Sequence, residues 1–180
     1  MTQSKVVVYI AMSLDGFIAK PDGDLTFLSL VEKEGEDYGY HQFLSSVGSV
    51  LMGRKTYEKV MSFGIPFPHQ DVPCYIISSK EKNTSDGPEF YSGDLNVLIQ
   101  RLRTLKGDVF VDGGAELVNT LHKMDLIDRW IISIIPTFIG EGVRLFKEKS
   151  MDQVLNLVKV ESFQTGLVQL TYDRKENHNA

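Results

Sequence analysis

Apolar runs rich in β-branched residues alternate along this chain with segments of helical periodicity. Residues 5–12 (KVVVYIAM) are almost continuously apolar, which is typical of a strand buried on both faces at the centre of a sheet. Further apolar runs predict strands at residues 48–52, 73–77, 90–91, 108–112 and 128–136. Apolar residues at helical spacing predict helices at residues 32–46, 54–63, 94–105 and 115–124.

The end of the chain follows a different pattern. Residues 154–163 and 167–172 alternate apolar and polar side chains on either side of a Gln-Thr-Gly turn, which predicts an antiparallel hairpin with one solvated face. The alternation of strands and helices before it predicts an α/β domain. We therefore expect one domain over residues 1–180, with a mostly parallel central sheet, helices on both faces and the hairpin at one edge.

Polar turns follow three of the predicted strands directly, and they contain small, hydroxyl or basic residues. The C-terminal ends of parallel strands share one edge of a sheet, and a helix N-terminus offers free N–H groups to phosphate. These turns therefore predict a site for one elongated ligand with several phosphates, although an ordinary strand-to-helix connection with solvated cations is the alternative. The turns comprise Gly53, Arg54, Lys55 and Thr56, then Ser78, Ser79 and Lys80, and then Gly113 and Gly114.

Two further segments are candidates for a ligand site. The loop after the first strand holds two turn clusters at residues 13–16 and 21–24, as expected of a loop with a defined shape, or of a plain hairpin-like excursion. Asp37 lies in the early turns of the helix predicted at residues 32–46. It is either a proton-handling carboxylate that faces a pocket or a helix-start acid favoured by the helix dipole. Tyr38 and Tyr40 beside it are pocket walls or core residues.

Composition excludes several classes of function. The chain is 42% hydrophobic and 24% charged, as in an ordinary globular protein, and its formal charge of -5 argues against a general nucleic-acid-binding protein. The single Cys74 and the lack of an N-terminal signal pattern predict a cytoplasmic protein, and the apolar runs are too short to span a membrane. The histidines have no metal-like spacing, and His69 is expected at the surface. The nucleophile-elbow, P-loop and G-x-G-x-x-G motifs are missing from the sequence.

Four stretches of this sequence resemble the dihydrofolate-reductase-like fold, most closely the branch related to the reductase domain of bacterial riboflavin biosynthesis. Their order and spacing cover nearly the whole chain, so the resemblance implies that fold throughout. It also implies NADPH as the cofactor, and relatives of this branch are commonly dimers. The stretches are residues 11–19 (AMSLDGFIA), 51–58 (LMGRKTYE), 111–117 (VDGGAEL) and 126–142 (LIDRWIISIIPTFIGEG).

The resemblance also implies a role for each matching residue. Ala11 and Ile18 would lie against the nicotinamide, and Asp15 and Gly16 would shape their loop. The other contacts divide between the adenosine 2′-phosphate and the pyrophosphate, and the peptide between the paired glycines is often cis in the family. The pyrophosphate would be held by Gly53, Arg54, Lys55 and Thr56, which would also assist at the 2′-phosphate. The 2′-phosphate site would be completed by Ser78, Ser79 and Lys80. The pyrophosphate would be surrounded by Gly113, Gly114, Ala115, Glu116 and Leu117.

Asp37 falls where the folate reductases carry their substrate-side acid, which implies a role in holding or protonating the substrate. However, residues 31–36 lack the Leu-Pro pattern of those enzymes and residues 21–25 lack their tryptophan, which argues against folate. The riboflavin precursor is phosphorylated, and the sequence has no second basic cluster for it. The leading hypothesis is an NADPH-dependent reductase of a small heterocyclic or carbonyl-type substrate. The alternative is a non-catalytic NADP-binding sensor or partner domain.

Overall fold

The computed structural model describes residues 4–79, 87–147 and 151–175. Ten strands, four α-helices and two short 3₁₀ helices make up the described chain. In order, they are β1 (Val6–Ser13), β2 (Phe17–Ala19), the 3₁₀ helices Pro21–Gly23 and Thr26–Val31, α1 (Tyr40–Leu44), β3 (Val47–Gly53), α2 (Arg54–Ser62), β4 (Cys74–Ile77), β5 (Glu89–Tyr91), α3 (Leu95–Leu102), β6 (Asp108–Gly113), α4 (Ala115–Lys123), β7 (Arg129–Ile135), β8 (Val143–Arg144), β9 (Leu155–Ser162) and β10 (Val168–Arg174).

Eight of the strands form one sheet in the order β5-β4-β3-β6-β1-β7-β10-β9. The six strands from β5 to β7 are parallel, whereas β10 is antiparallel to both β7 and β9. The predicted parallel centre and the predicted antiparallel hairpin at one edge are therefore confirmed. All six parallel strands present their C-terminal ends at the same edge of the sheet, which is the edge that α/β proteins use for ligands.

The sheet is covered on both faces, so the domain has three layers. On one face, α3 and α4 contribute Leu98, Ile99 and Leu121 to the largest buried cluster, together with Val6 and Val8 of β1. On the other face, α1 and α2 pack against Val50, Met52 and Phe110. The 3₁₀ helix Thr26–Val31 covers the β7 end of that second face. Since β1 is central, its apolar residues are divided between the two faces, as its continuous hydrophobicity predicts.

The prediction of a helix at residues 32–46 is wrong for the first half of that range. Only α1 is α-helical there, and residues 32–39 form turns in which Gly35, Tyr38 and Gly39 have positive φ values of 78°, 57° and 81°. A right-handed helix excludes such values. Asp37 therefore lies in a turn just before α1 rather than inside a helix.

A small second sheet joins β2 to β8, and the sequence does not predict it. The two strands approach closely because Gly142, with φ of 142°, precedes β8. A Cβ atom at this position would lie 2.2 Å from the Ala19 carbonyl oxygen, so only glycine fits. This pairing fixes the loop that leaves β1 against the loop that leaves β7. Among the helices of the described residues, none is long and apolar enough to cross a membrane.

Candidate functional site

Two glycine turns meet where β3 and β6 end. The register pairs Met52 with Gly113, and a Cβ atom at Gly53 would lie 3.4 Å from the Gly114 backbone nitrogen. A Cβ atom at Gly114 would lie 3.0 Å from the Thr56 hydroxyl oxygen. A side chain at Gly114 would crowd this contact, whereas a Cβ atom at Gly53 would lie at van der Waals distance from the opposite turn. The structure thus brings the Gly53–Thr56 and Gly113–Leu117 segments together, and the Gly113–Gly114 peptide is cis.

Helices α2 and α4 begin at this contact, and both have a glycine N-cap. Neither Gly53 nor Gly114 can supply a capping oxygen, and no side chain of the described residues caps either helix. In contrast, Asp94 caps α3 by accepting hydrogen bonds from the N–H groups of Asn96 and Val97. The first turns of α2 and α4 therefore offer free N–H groups and two positive dipole ends to an anion.

Arg54 and Glu116, two of the charged side chains at this edge, are already engaged in ion pairs. Arg54 Nη1 lies 2.5 Å from Glu58 Oε1 on the same helix. Glu116 accepts a hydrogen bond from Lys147, which lowers the pKa of Glu116, and the positive charge of Lys55 acts in the same direction. Glu116 thus contributes its backbone to the turn while its carboxylate is paired. Ala115 and Leu117 are buried, so only their backbone groups are available to a ligand.

The third polar turn, after β4, lies at the same edge but is described only in part. The register pairs Gly53 with Ile77, so Ser78 and Ser79 follow the end of β4 next to the β3–α2 turn. Ser78 N–H donates to the Tyr91 carbonyl oxygen at 3.0 Å. Lys80 lies outside the described residues. The assignment of this turn to an adenosine 2′-phosphate remains a prediction.

The loop after β1 is held in place by Asp15. Its carboxylate accepts hydrogen bonds from Ser13 Oγ at 2.6 Å, from Ile139 N–H at 3.1 Å and from Gly140 N–H at 2.7 Å. Because Ile139 and Gly140 belong to the loop after β7, Asp15 fastens the two loops together. Gly16, with φ of 87°, completes this turn. These contacts are those of a residue that shapes a loop, which is the role the resemblance implies.

The hydrogen bonds to the Asp15 carboxylate predict that stability depends on pH in the acid range. The hydrogen bond from Ser13, followed by those from Gly140 and Ile139, lowers the pKa of Asp15 to about 2. A lowered pKa means that the contribution is complete above the pKa of the unfolded chain, about 4, and is lost as the pH falls towards 2. We expect Asp15→Asn to flatten the dependence of the urea midpoint on pH between these two limits. An unchanged dependence would show that Asp15 does not couple protonation to folding.

Ala11 and Ile18, the two residues predicted to lie against the nicotinamide, pack against opposite faces of the central sheet. Ala11 packs beside Phe27, Val31 and Ile135, whereas Ile18 packs against the larger cluster on the opposite face of the sheet. Ala11 also lines an open cavity of about 560 Å³ at the C-terminal edge. This cavity lies beside the predicted nicotinamide position, which makes it the candidate substrate pocket.

The floor of the cavity contains a polar network that sequence reasoning missed. Gln169 Nε2 donates to Tyr9 Oη at 2.9 Å and to Ser133 Oγ at 3.1 Å, and Tyr9 Oη donates to the Tyr38 carbonyl oxygen at 2.8 Å. Ser133 is the register partner of Ala11 and is only 5% exposed. A serine in the apolar run RWIISII was the available indication, because a buried hydroxyl in a central strand needs a partner.

Asp37 lines the cavity, but its carboxylate is committed to the turn before α1. It accepts hydrogen bonds from the N–H groups of His41 at 2.9 Å and Gly39 at 3.0 Å, and it lies 2.5 Å from His41 Nδ1. The His41 backbone contact is the largest cause that lowers the pKa of Asp37 to about 2. Such a carboxylate is ionised at neutral pH, so it can hold a substrate but has no proton to donate. The capping contacts match the alternative interpretation of a helix-start acid.

His69 is buried, so the expectation that it lies at the surface is wrong. Its Nε2 atom lies 3.2 Å from Asp112 Oδ2, and its ring packs edge-on against Phe67 and Phe110. The hydrogen bond to the Asp112 carboxylate compensates for the cost of burying the imidazole. Asp112 is 43 residues away in the chain. Asp112 directly precedes Gly113, so this pair supports the β6 end of the site.

Comparison with known proteins places these features in a family. The model of the family described as the RibD C-terminal domain matches residues 4–169. The YwjB protein of Bacillus subtilis is 40% identical over 174 residues, which cover 96% of this chain and 99% of that protein. The crystal structure of a protein from Shewanella sp. PV-4, whose name refers to riboflavin biosynthesis, has a TM-score of 0.87 at 31% identity. The match covers 96% of this chain and 99% of that protein.

A more distant structure supports the fold alone. Dihydrofolate reductase from Enterococcus faecalis, which was solved in complex with NADP(H), has a TM-score of 0.66 at 15% identity, with 97% and 98% of the two chains covered. The predicted dihydrofolate-reductase-like fold is therefore confirmed.

Proposed function

Because this chain belongs to the RibD C-terminal domain family, we propose that it is an NADPH-dependent reductase. NADPH would supply the hydride, and a small heterocyclic or carbonyl-type substrate would accept it. One observation carries the proposal: the N-termini of α2 and α4, both without side-chain caps, meet through Gly53 and Gly114. Two such N-termini suit the two phosphates of a dinucleotide.

The predicted cofactor contacts would divide between the pyrophosphate and the 2′-phosphate. The backbone of Gly113–Leu117, together with Gly53 and Thr56, would hold the pyrophosphate. Arg54 and Lys55 would contact the pyrophosphate and also help to neutralise the 2′-phosphate, together with the Ser78–Lys80 turn. This arrangement favours NADPH over NADH, since a carboxylate at that position would instead bind a ribose hydroxyl.

The substrate side would be arranged by β1, β7 and the turn before α1. Ala11, which lines the cavity, would form the boundary between the cofactor and the substrate, and its small side chain would leave room for two rings to approach. The Ser133 hydroxyl, beside Ala11, would hold the polar atom next to the hydride acceptor. Asp37, as an ionised carboxylate, would accept a hydrogen bond from the substrate rather than protonate it.

Arg54→Ala tests the cofactor assignment. We expect the Kd for NADPH to rise about tenfold, because loss of one charge-assisted hydrogen bond costs about 1.5 kcal/mol. The Kd for NADH should rise less than the Kd for NADPH, because NADH lacks the 2′-phosphate, which is one of the two groups that Arg54 would contact. Fluorescence titration of both nucleotides measures the two constants.

Arg101→Ala is the matched control for that substitution. It removes the same charge from α3, where Arg101 packs over Tyr75 and lies near Glu89, so both nucleotides should bind as they do to the native protein. Equal affinity of the native protein for NADPH and NADH would remove the 2′-phosphate assignment. A screen of heterocyclic and carbonyl compounds for substrate-dependent NADPH oxidation separates a reductase from a protein that only binds NADP.

A further inference from the structure

Acidic side chains dominate the charge of the candidate substrate pocket. Four carboxylates line it, those of Glu32, Glu34, Glu36 and Asp37, against one cation, Lys33. Glu32 and Glu34 make no side-chain hydrogen bond or ion pair to another described residue, so their charges are not neutralised by the protein. Lys33 Nζ donates to the neutral Gln164 Oε1 at 3.0 Å, at the rim. The pocket therefore carries an excess of negative charge.

This excess disfavours an anionic substrate. The charges belong to one short segment, residues 32–37, and they face the same cavity. The potentials of these close, mostly solvent-exposed charges add. A phosphate group that enters the cavity would meet this field with only Lys33 to oppose it, whereas an ammonium group would be attracted by it. The effect must weaken as salt is added.

The walls and the floor indicate the rest of the ligand. Tyr9, Tyr38 and Tyr40 also line the cavity, and an aromatic wall suits a flat ring. The Ser133 hydroxyl is buried at the floor, accepts a hydrogen bond from Gln169, and donates its own proton to no other described residue. That buried proton is free for an acceptor atom on a ligand, which is a second and independent indication of what the cavity binds.

We propose that the cavity takes a flat aromatic substrate that carries an ammonium or other cationic group, has an acceptor atom for Ser133, and bears no phosphate or carboxylate. This refinement rests on the proposed reductase function, because it concerns the substrate of that reaction. The ring would lie between the tyrosines with its acceptor at the floor beside Ala11. Its cationic group would lie towards the 32–37 segment.

Three quinolines of nearly equal size test the charge preference. Calorimetric titration of the protein with 4-(aminomethyl)quinoline, quinoline-4-methanol and quinoline-4-carboxylate compares a cation, a neutral compound and an anion. We expect the cation to bind at least about tenfold more tightly than the carboxylate at low ionic strength, with the neutral compound between them. The ratio should fall several-fold in about 0.5 M salt. Equal or tighter binding of the carboxylate would overturn the proposal, as would failure of all three to bind at millimolar concentrations.

A double variant tests whether the pocket carboxylates cause the preference for a cation. In Glu32→Gln/Glu34→Gln, the ratio of cation to anion affinity should fall at least about threefold, because two unpaired charges are removed. The control Asp71→Asn/Glu89→Gln removes the same net charge from residues that do not line the cavity, and it should keep the native ratio. An unchanged ratio in the first variant would reject the pocket carboxylates as the cause.

The same samples distinguish this proposal from the reductase proposal. The titrations are run with and without NADPH, whose own binding is measured separately. If NADPH does not bind, the reductase assignment fails, but the titrations with the three quinolines still measure the charge preference of the cavity. With NADPH binding and a preference for the carboxylate, the reductase assignment stands and the substrate class is wrong.

Discussion

Gly114→Val is expected to weaken NADPH binding at least about 100-fold while the protein remains folded. A Cβ atom at Gly114 would already lie 3.0 Å from Thr56 Oγ1, and the two additional methyl groups of valine occupy the space between the α2 and α4 N-termini. The backbone φ of -81° at Gly114 is accessible to valine. A 100-fold loss corresponds to about 2.7 kcal/mol, the scale of two lost hydrogen bonds to a charged phosphate.

The measurement is a fluorescence titration with NADPH, accompanied by a thermal melt of the cofactor-free protein to establish folding. Gly114→Ala provides a graded comparison and should give a smaller loss. Comparing Gly114→Ala/Thr56→Ala with Thr56→Ala alone separates two causes, because removal of the hydroxyl relieves the internal contact but not an obstruction of the cofactor. If Gly114→Val folds and binds NADPH with native affinity, the contact between the two glycine turns is not the phosphate site.

Local features of the sequence were sufficient to predict the parallel sheet and the glycine turns. The uninterrupted apolar run of β1 required a central strand, and Gly53 and Gly114 each follow an apolar strand and precede a helix. Both kinds of evidence are confined to a few neighbouring residues. The steric limits on φ and ψ and the periodicity of apolar residues likewise involve only residues that are close in the sequence. Because parallel strands end at one edge, the convergence of the turns then followed from topology.

The turn before α1 shows why the helix at residues 32–46 was mispredicted. Tyr40, Phe43 and Leu44 have helical spacing, but Tyr38 adopts a φ of 57°. Its hydroxyl donates to the Val31 carbonyl oxygen and lies 3.0 Å from Thr165 Oγ1 in the distant hairpin. Tertiary contacts therefore override the periodicity here. Gly35 and Gly39 were the local indications that a helix would not continue through this segment.

The substrate side of the site depends on contacts that no short stretch contains. Ser133 and Gln169 become neighbours only because β10 returns antiparallel beside β7. In the same way, the burial of His69 depends on Asp112, and β2 depends on β8 for its partner. A polar residue in an apolar strand indicates that a partner must exist, but the partner's identity requires the tertiary fold.

Asp128→Ala is expected to lower the free energy of unfolding by about 3 kcal/mol, the lower end of the range for breaking a buried ion pair. Asp128 Oδ2 accepts from Val6 N–H at 2.8 Å and lies 2.6 Å from Arg103 Nη2, while Oδ1 lies 2.9 Å from Arg174 Nη2. The side chains of Asp128 and Arg103 are only 15% and 14% exposed. Alanine would leave the Arg103 guanidinium without its carboxylate partner in a poorly solvated place and would also free the first N–H group of β1.

Urea unfolding measures the loss, and the melting temperature should fall by roughly 6–12 °C for a domain of this size. Asp125→Asn is the matched control, since Asp125 also pairs with Arg174, at 3.2 Å, but its side chain is 49% exposed, and asparagine tolerates the φ of 54° at this position. That substitution should cost less than about 1 kcal/mol, as for other solvated ion pairs. The start of β7 lies at the opposite end of the strands from Gly53 and Gly114, so folded Asp128→Ala should bind NADPH with native affinity. A loss of affinity in that variant would mean that the two edges of the sheet are energetically coupled, because the Asp128 side chain lies at the far edge from the cofactor site.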